Sequence, residues 1–600
     1  MATALEHRGP DACGTWVGAG VGFSHTRLSL FDLSDAANQP WVDGTDALVF
    51  NGEIYNFVEL RSELERHGRR FHTRSDTEVL FALLQDLGLD ETLRRIRGMF
   101  AFAFHDGSSG ITHLCRDRYG IKPLLYVPRA GVVTFASEAK ALTAVGCIEV
   151  DQVLALMALR TLGDKFQSRT LFRGVRQVAP GSVVSVRNGK VIGCCSYAPL
   201  LEQVAEARFH ELDRMPFSEV DAELRDMLEA AVDRMAACDA RLGVFLSGGV
   251  DSTLITAIAA GQRHPHFRAF TSDVVGPGSE RAQAEAAARA LGIGIEVSVF
   301  EPGSWARDWV RTTWSLETPV ITNPSAVPFG RVAQLAHEAG YKAVLTGESA
   351  DELFLGYPRL ASGGLERVAG APVSMIRRIY RRVPGLADAI LDDRDHKSAA
   401  FLRGVAGGFE DAAIASAAEE RYAFLDPAQA RLQAVSAVMV QTSLQALLQR
   451  NDRMGMSAGI ESRFPFLDED VVGFALNLPV RCKLRRSRSL HDPKHPFVVD
   501  KAPVRAVAGA YLGEELAARR KSGFPTPGLH GVEVREGAFR GGWVADAFGA
   551  GRSFDREIAE WGQPYDRAKL LSVEVFGRLF DAGQAVDEVE EFVKSVCVEI

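Results

Sequence analysis

The stretch LGVFLSGGVDSTLITAIAAG, residues 242–261, decides how the second half of this chain is read. LGVFL (242–246) is a short apolar run with strand character, and STLITAIAA (252–260) has helical spacing. Between them stands SGGVDS (247–252). Small residues there let a ligand come close to the backbone, and the N–H groups of the turn and the helix N-terminus face an anion. Asp251 adds a carboxylate where Mg²⁺ can bridge phosphates. No lysine follows as in a Walker A loop, so ordinary γ-phosphoryl transfer is not the natural reading. A bare Gly-Gly would be read as a structural turn. The full motif between strand and helix is read as a phosphate-binding loop.

The pattern continues outward. FRAFTSD (267–273), IEVSVF (295–300) and YKAVLTG (341–347) are strand-like, and ERAQAEAAARALG (280–292) and VAQLAHEAG (332–340) are helical. Strands alternating with helices imply an α/β unit with a parallel, doubly wound sheet. Ligands bind such a sheet beyond the carboxyl ends of its strands. A second element, TGESADE (346–352), follows a later strand and is expected to converge there with SGGVDS. Asp351 is then placed to share a metal with Asp251, and Glu348 to act as a general base. Alone, such an acidic cluster is usually a solvated loop or helix cap. After residue ~362 the pattern is mostly helical, with a Gly-rich stretch at 403–408.

The N-terminal part reads differently. ALVFNGEIYNF (47–57) and MFAFAFHD (99–106) are strand-like, and VELRSELERHG (58–68) and DTEVLFALLQDLG (76–88) are helical and end in glycine. That is an α+β pattern. Residues 146–215 read as a connecting region holding a hairpin, GSVVSVRNGKVIG (181–193), with Asn188-Gly189 at its turn. Two domains are expected, 1–200 and 216–600.

Composition narrows the function. The formal net charge of −9 gives no footprint for a nucleic-acid backbone or an anionic membrane. No apolar run reaches the ~18 residues of a membrane span, and the opening MATALEHRGPDACG has no apolar core of a secretory signal. The eight cysteines form no CxxC and no zinc-ligand spacing, so each is read as a small buried hydrophobe of a reduced, cytoplasmic protein.

The ordered motifs resemble the glutamine-dependent asparagine synthetase family over nearly the whole chain. They are HRGPD (7–11), SHTRLSLFDLS (24–34), FNGEIYN (50–56), SDTE (75–78), RDRYGIKPLLY (116–126), SEAKAL (137–142), APGS (179–182), FLSGGVDS (245–252), TGESADELFLGYPR (346–359), ESRFPFLD (461–468) and KSGFPTP (521–527). The resemblance implies an N-terminal αββα sandwich of Ntn-hydrolase type that hydrolyses glutamine. It implies an ATP-pyrophosphatase domain of the adenine nucleotide α-hydrolase type, with a helical C-terminal part, that adenylates a carboxylate. ATP and Mg²⁺ are the implied cofactors. Glutamine or ammonia, and aspartate or another small carboxylate, are the implied substrates, and a homodimer the implied assembly. Arg27 would clamp the glutamine carboxylate, Glu53 and Asp76 its ammonium, and Asn51 with the Gly52 N–H would form the oxyanion hole. Ser247, Gly248, Gly249, Asp251, Ser252 and Gly347 would hold ATP and pyrophosphate, Asp251 and Asp351 the metal, and Glu348 would deprotonate incoming ammonium. Lys501, in DKAPVRAV, matches a family lysine that neutralises phosphate charge, and Lys494 is the competing candidate.

This chain departs from the family at two places. Relatives expose an N-terminal cysteine as nucleophile. Here the sequence starts with Met1-Ala2, and Cys13 follows HRGPD with no free amine, so it is read as structural. As written the chain is not expected to use glutamine. Either the parent polypeptide carries the cysteine further upstream, which the full set of Arg27, Asn51, Glu53 and Asp76 favours, or the synthetase takes free ammonia or another amine. The second departure concerns the acceptor. Ser349 and Leu355 stand where relatives carry glycines, and Asn323 where an acid is usual. Aspartate is the leading acceptor. A specialised-metabolite carboxylate and a glutaminase-dead scaffold are the alternatives.

Overall fold

The computed structural model describes residues 1–598 except 19, 144, 147, 158–169, 263, 265, 276–278, 301–304, 358–408, 487–497, 520–532, 536, 540 and 548–563. Lys494, the KSGFPTP motif, Pro358-Arg359 and the Gly-rich stretch 403–408 lie outside the described residues.

The N-terminal strands are β1 (Ala12–Gly18), β2 (Val21–Arg27), β3 (Trp41–Asp43), β4 (Asp46–Ile54), β5 (Gly98–Asp106), β6 (Ile111–Arg116), β7 (Leu125–Arg129), β8 (Val132–Ala136), β9 (Arg176–Gln177), β10 (Ser182–Arg187) and β11 (Lys190–Ser196). A six-stranded sheet runs β11-β10-β6-β5-β4-β3. Its central strands β4 and β5 are covered on both faces, which is why MFAFAF reads as a continuous apolar run rather than an alternation. On one face Phe50, Phe100, Phe102 and Phe104 pack under the helices Phe57–Arg66 and Asp76–Leu87. On the other, Val49, Ala101 and Ala103 meet Phe23 of β2 and Tyr126 of β7. Leu125 and Val127, on the opposite side of β7, enter a core with Val310, Leu571, Val575 and Val589, so helices of the C-terminal half close the far side. The layers are helix, sheet, sheet, helix.

The hairpin at 181–193 is not part of a connector. β10 pairs antiparallel with β6, Val183 opposite Cys115, so the hairpin is the edge of the first sheet. Its turn has the positive φ at both Asn188 (49°) and Gly189 (66°) that a two-residue hairpin requires. Cys194 and Cys195 lie on its outer strand and are exposed, as is Cys13, so the buried reading of these cysteines is wrong. It holds for Cys115, Cys482 and Cys597; Cys238 is half-buried, and Cys147 lies outside the described residues.

The second sheet consists of β12 (Leu242–Phe245), β13 (Arg268–Val274), β14 (Gly294–Phe300), β15 (Ala343–Leu345) and β16 (Glu461–Arg463). All its pairings are parallel and its order is β14-β13-β12-β15-β16. The chain leaves β12 to one side through β13 and β14 and returns on the other at β15. The topological switch therefore falls between β12 and β15, where SGGVDS and TGESAD begin. The helices Val250–Gly261, Arg281–Leu291 and Ala326–Glu338 connect these strands, and Pro427–Gln441, Ser443–Met456 and Ala502–Leu512 pack beside them. No helix among the described residues is long and apolar enough to cross a membrane.

Candidate active sites

A cavity of about 290 Å³ opens at the switch point. Ser247, Gly249, Asp251 and Ser252 line it from the β12 loop, Gly347, Glu348, Asp351 and Glu352 from the β15 loop, and Lys501 from the start of the helix Ala502–Leu512. The loop after β12 is tied internally: the Ser247 and Ser252 hydroxyls lie 3.0 Å apart, and Gly249 N–H donates to Ser247 Oγ at 3.2 Å. Arg519 holds it from outside through the Gly248 carbonyl, 3.2 Å away. Gly248 has φ 79°, and a Cβ there would come within 2.6 Å of the Ala284 nitrogen. A Cβ on Gly347 would stand 2.4 Å from the Ser252 nitrogen, so the two loops touch backbone to backbone.

Lys501 bridges the loops. Its Nζ lies 2.6 Å from Asp251 Oδ2 and 2.8 Å from Asp351 Oδ1, and the side chain is 1% exposed. Gly356 makes room for this pair, since a Cβ there would sit 1.8 Å from Asp351 Oδ1. Of the residues lining the cavity, Asp251 Oδ1 and Ser272 Oγ are buried without a hydrogen-bond partner among the described residues. Buried polar atoms left open in a cleft are places that a ligand, ion or water can satisfy. Asp251, with its open Oδ1, and the neighbouring Asp351 are carboxylates that would suit a Mg²⁺ bound with phosphate.

Glu348 receives Arg450 Nη2 at 2.5 Å. Arg450 Nη1 donates to Ser325 Oγ at 2.9 Å, and that hydroxyl donates to Asn323 Oδ1 at 2.8 Å. Asn323 thus acts at second hand on the base candidate. Glu352 accepts the Tyr357 hydroxyl. Burial pushes Glu352 up to about 7; the Tyr357 bond holds it back and the Glu348 charge adds to the rise.

Ser349 (φ 79°) and Leu355 (φ 60°) flank the short helix Ala350–Phe354 in the left-handed region. These are the two positions where the sequence reading noted missing glycines. A non-glycine residue there costs about 1 kcal/mol. Ser349→Gly removes both that strain and a buried hydroxyl. It is expected to raise stability by about 1 kcal/mol, seen as a higher melting temperature; a lower one contradicts the strain argument.

The second pocket, about 110 Å³, is lined by Arg27, Asn51, Gly52, Glu53 and Asp76, and by Met456 and Glu461 of the other domain. Gly52 has φ 134°, and a Cβ would lie 2.0 Å from the Met99 carbonyl oxygen. Asn51 Nδ2 and Glu53 Oε2 are buried without hydrogen-bond partners among the described residues. Asp76 accepts the Ile54 N–H at 3.0 Å; burial pushes it up to about 6 against that bond. Burial pushes Glu53 up to about 7, opposed by Arg463, whose Nη2 reaches Glu53 Oε1 at 2.5 Å. Arg27 is placed differently from a free clamp. Its guanidinium donates to the carbonyls of Phe31, Asp32 and Ser34 and to Asn38 Oδ1, between 2.5 and 3.1 Å. It organises the 31–38 loop at the pocket wall.

Between the sites runs a buried charge network that the sequence reading missed. Arg8 of HRGPD meets Asp452 with two bonds, 2.8 and 3.0 Å, and Glu138 of SEAKAL at 2.7 Å. Arg453 lies 3.2 Å from both Glu138 and Glu317, while Lys122 pairs with Glu461 and Lys140 with Glu138. One helix, Ser443–Met456, carries Arg450 and Asn451 in the first cavity, Asp452 and Arg453 in the network and Met456 in the second pocket. The signal available was QRNDRM, five charged or amide side chains among apolar residues in a helical stretch.

Two family models match this chain. Residues 223–594 match the family described as asparagine synthase, and residues 1–198 the glutamine amidotransferase domain. Asparagine synthetase [glutamine-hydrolyzing] 1 of Bacillus subtilis is 30% identical over 568 residues, spanning 88% of this chain and 84% of that protein. A putative asparagine synthetase [glutamine-hydrolyzing] of Mycobacterium tuberculosis H37Rv is 31% identical over 578 residues, 89% of this chain and 84% of that protein. The structure of the Bacillus subtilis glutamine phosphoribosylpyrophosphate amidotransferase aligns with a TM-score of 0.26 at 16% identity, covering 58% of this chain and 77% of that one.

Proposed function

The chain belongs to the asparagine synthase family, and from that premise we propose that it amidates aspartate to asparagine through an acyl-adenylate, converting ATP to AMP and pyrophosphate. The nitrogen comes from ammonia, supplied directly or by glutamine hydrolysis. The observation that carries this reading is the meeting of Asp251, Asp351 and Lys501 beside the glycine loop, with Glu348 in the same cavity.

The backbone N–H groups of Ser247–Ser252 would hold the β- and γ-phosphates as they leave. Lys501 supplies positive charge where negative charge grows on the departing pyrophosphate. Bound Mg²⁺ would be held by Asp251 and Asp351 and would add charge neutralisation at the phosphates. Glu348, oriented by Arg450, accepts a proton from the attacking nitrogen. In the second pocket Glu53 and Asp76 would hold the α-ammonium of glutamine, and Asn51 Nδ2 and the Gly52 N–H its amide oxygen. We take the working form to be a cytoplasmic homodimer, tested by light scattering after gel filtration.

The decisive assay supplies ATP, Mg²⁺ and aspartate with ammonium or with glutamine, and weighs the products. Asparagine, AMP and pyrophosphate are expected; ADP and phosphate overturn the reading. An inert acceptor with tight ATP binding would turn attention to other carboxylates.

The glutamine pocket has its own pH test. An ammonium ligand needs both carboxylates ionised, and burial holds Glu53 near 7 and Asp76 near 6. Falling pH protonates them in the free protein. L-Glutamate, an unreactive occupant, is therefore expected to bind roughly 20-fold more weakly at pH 6 than at pH 8, releasing protons on binding. Calorimetry measures both. An unchanged affinity removes these two carboxylates from the ammonium site.

A further inference from the structure

We propose that Lys483, acting through Ser436, is a positioning residue of the synthetase cavity: the two side chains fix the short helix that presents Asp351 and Glu352. The inference rests on the reaction proposed above. Ala350–Phe354 is a five-residue helix, too short to be stable alone. Both of its flanking residues, Ser349 and Leu355, are held at positive φ, so the segment stays in place only if its surroundings fix it. One such tie comes from the helix Pro427–Gln441: the Ser436 hydroxyl donates to the Leu353 carbonyl at 3.0 Å. Ser436 Oγ in turn accepts from Lys483 Nζ at 2.9 Å. Both Ser436 and Lys483 are 0% exposed.

Lys483 is unusual in what it lacks. Among the described residues no carboxylate pairs with it, and burial pushes its amine down to about 7. An unpaired buried lysine costs stability, whereas an apolar side chain would fill the space without that cost. What Lys483 contributes is a donor that fixes the Ser436 hydroxyl, so that its proton points at Leu353 and not elsewhere. It also places a dipole-compatible donor chain at the C-terminal end of the helix, where carbonyls are open. The chain of bonds polarises in one direction, amine to hydroxyl to carbonyl. Asp351 and Glu352 ride on that carbonyl's own turn.

The test compares Ser436→Ala, Ser436→Thr and Lys483→Met by hydrogen exchange and kinetics. Ser436→Ala and Lys483→Met are expected to speed exchange of the 350–356 amides about tenfold, leaving β12 and β15 unchanged. The kcat for pyrophosphate release should fall about tenfold, with KM for ATP within about threefold, because the phosphate loop is untouched. Ser436→Thr keeps the hydroxyl and should restore both. If Lys483→Met fails to fold, the two Ser436 variants carry the test. Exchange at 350–356 within twofold of wild type in Ser436→Ala, or an equal rise throughout the domain, overturns the proposal. Should the wild-type protein make no AMP, the functional reading fails while the exchange comparison still decides this one.

Discussion

Lys501→Met is expected to lower pyrophosphate release roughly 10³-fold, the scale of losing a preorganised charge at a developing anion. The reasoning starts from position. Lys501 caps the helix Ala502–Leu512 at φ 47°, and its Nζ sits between Asp251 and Asp351 at 2.6 and 2.8 Å. Methionine keeps the length and removes the charge. The two carboxylates then face each other across a buried gap, which raises the cost of ionising both and weakens the grip on a metal-bound triphosphate. Arginine is not a repair, because a planar guanidinium does not fit a slot where a Cβ on Gly356 would already stand 2.8 Å from Lys501 Cδ. Asp251→Asn is expected to fall to a similar level, since the side chain loses its negative charge and one of its two acceptor oxygens, and with them a carboxylate Oδ1 open to a cation. Lys494→Met should stay near wild type, because the position between the two acids is already taken by Lys501. Circular dichroism and ATP-binding calorimetry separate lost chemistry from lost folding. Activity above a tenth of wild type in a folded Lys501→Met protein would remove this lysine from the chemical step.

Much of this cavity was legible because its parts are short motifs at strand ends. SGGVDS and TGESADE each carry a local signature, and the alternation of strands and helices from 242 to 347 places both beyond the carboxyl ends of a sheet's strands. Lys501 lies outside that logic; only resemblance pointed to it, and only the fold brings it between the acids. Other features had no period to read. The strand β16 is Glu-Ser-Arg, three buried polar residues whose exposure pattern no hydropathy rule anticipates. Its Arg463 is fully buried because Glu53, 410 residues away, and the carbonyls of Met235 and Ala237 receive it. The 181–193 hairpin was visible as a hairpin, but the partner that makes it a sheet edge, β6, lies about seventy residues earlier. Arg27 shows the same limit at one side chain: its type fitted a carboxylate clamp, while its loop supplies four acceptors that claim the guanidinium first.

Glu138→Gln is expected to destabilise the protein by about 3–5 kcal/mol, the usual effect of removing one partner from a buried charge cluster. Glu138 is 0% exposed and touches His7, Arg8, Lys140 and Arg453. Against the cost of burial, Lys140 and Arg453, then His7 and Arg8, hold its carboxyl well below the ordinary range. A lowered carboxyl contributes stability above its unfolded value, near 4.5, and loses it as pH falls through the folded one. Wild type should therefore lose stability steeply below about pH 4.5, and Glu138→Gln much less so. The amide leaves three buried cations facing Asp452 and Glu317 alone, and these two acids already serve Arg8, Lys122, Lys140 and Arg453. The cluster joins the domains: Arg8, Lys122, Glu138 and Lys140 come from the first, Glu317, Asp452, Arg453 and Glu461 from the second. Its weakening should split one calorimetric transition into two at pH 7.5, the earlier lowered by about 10 °C. A single transition within about 2 °C of wild type would mean that apolar packing, with Val310 and Leu571 under β7, joins the domains without the charges.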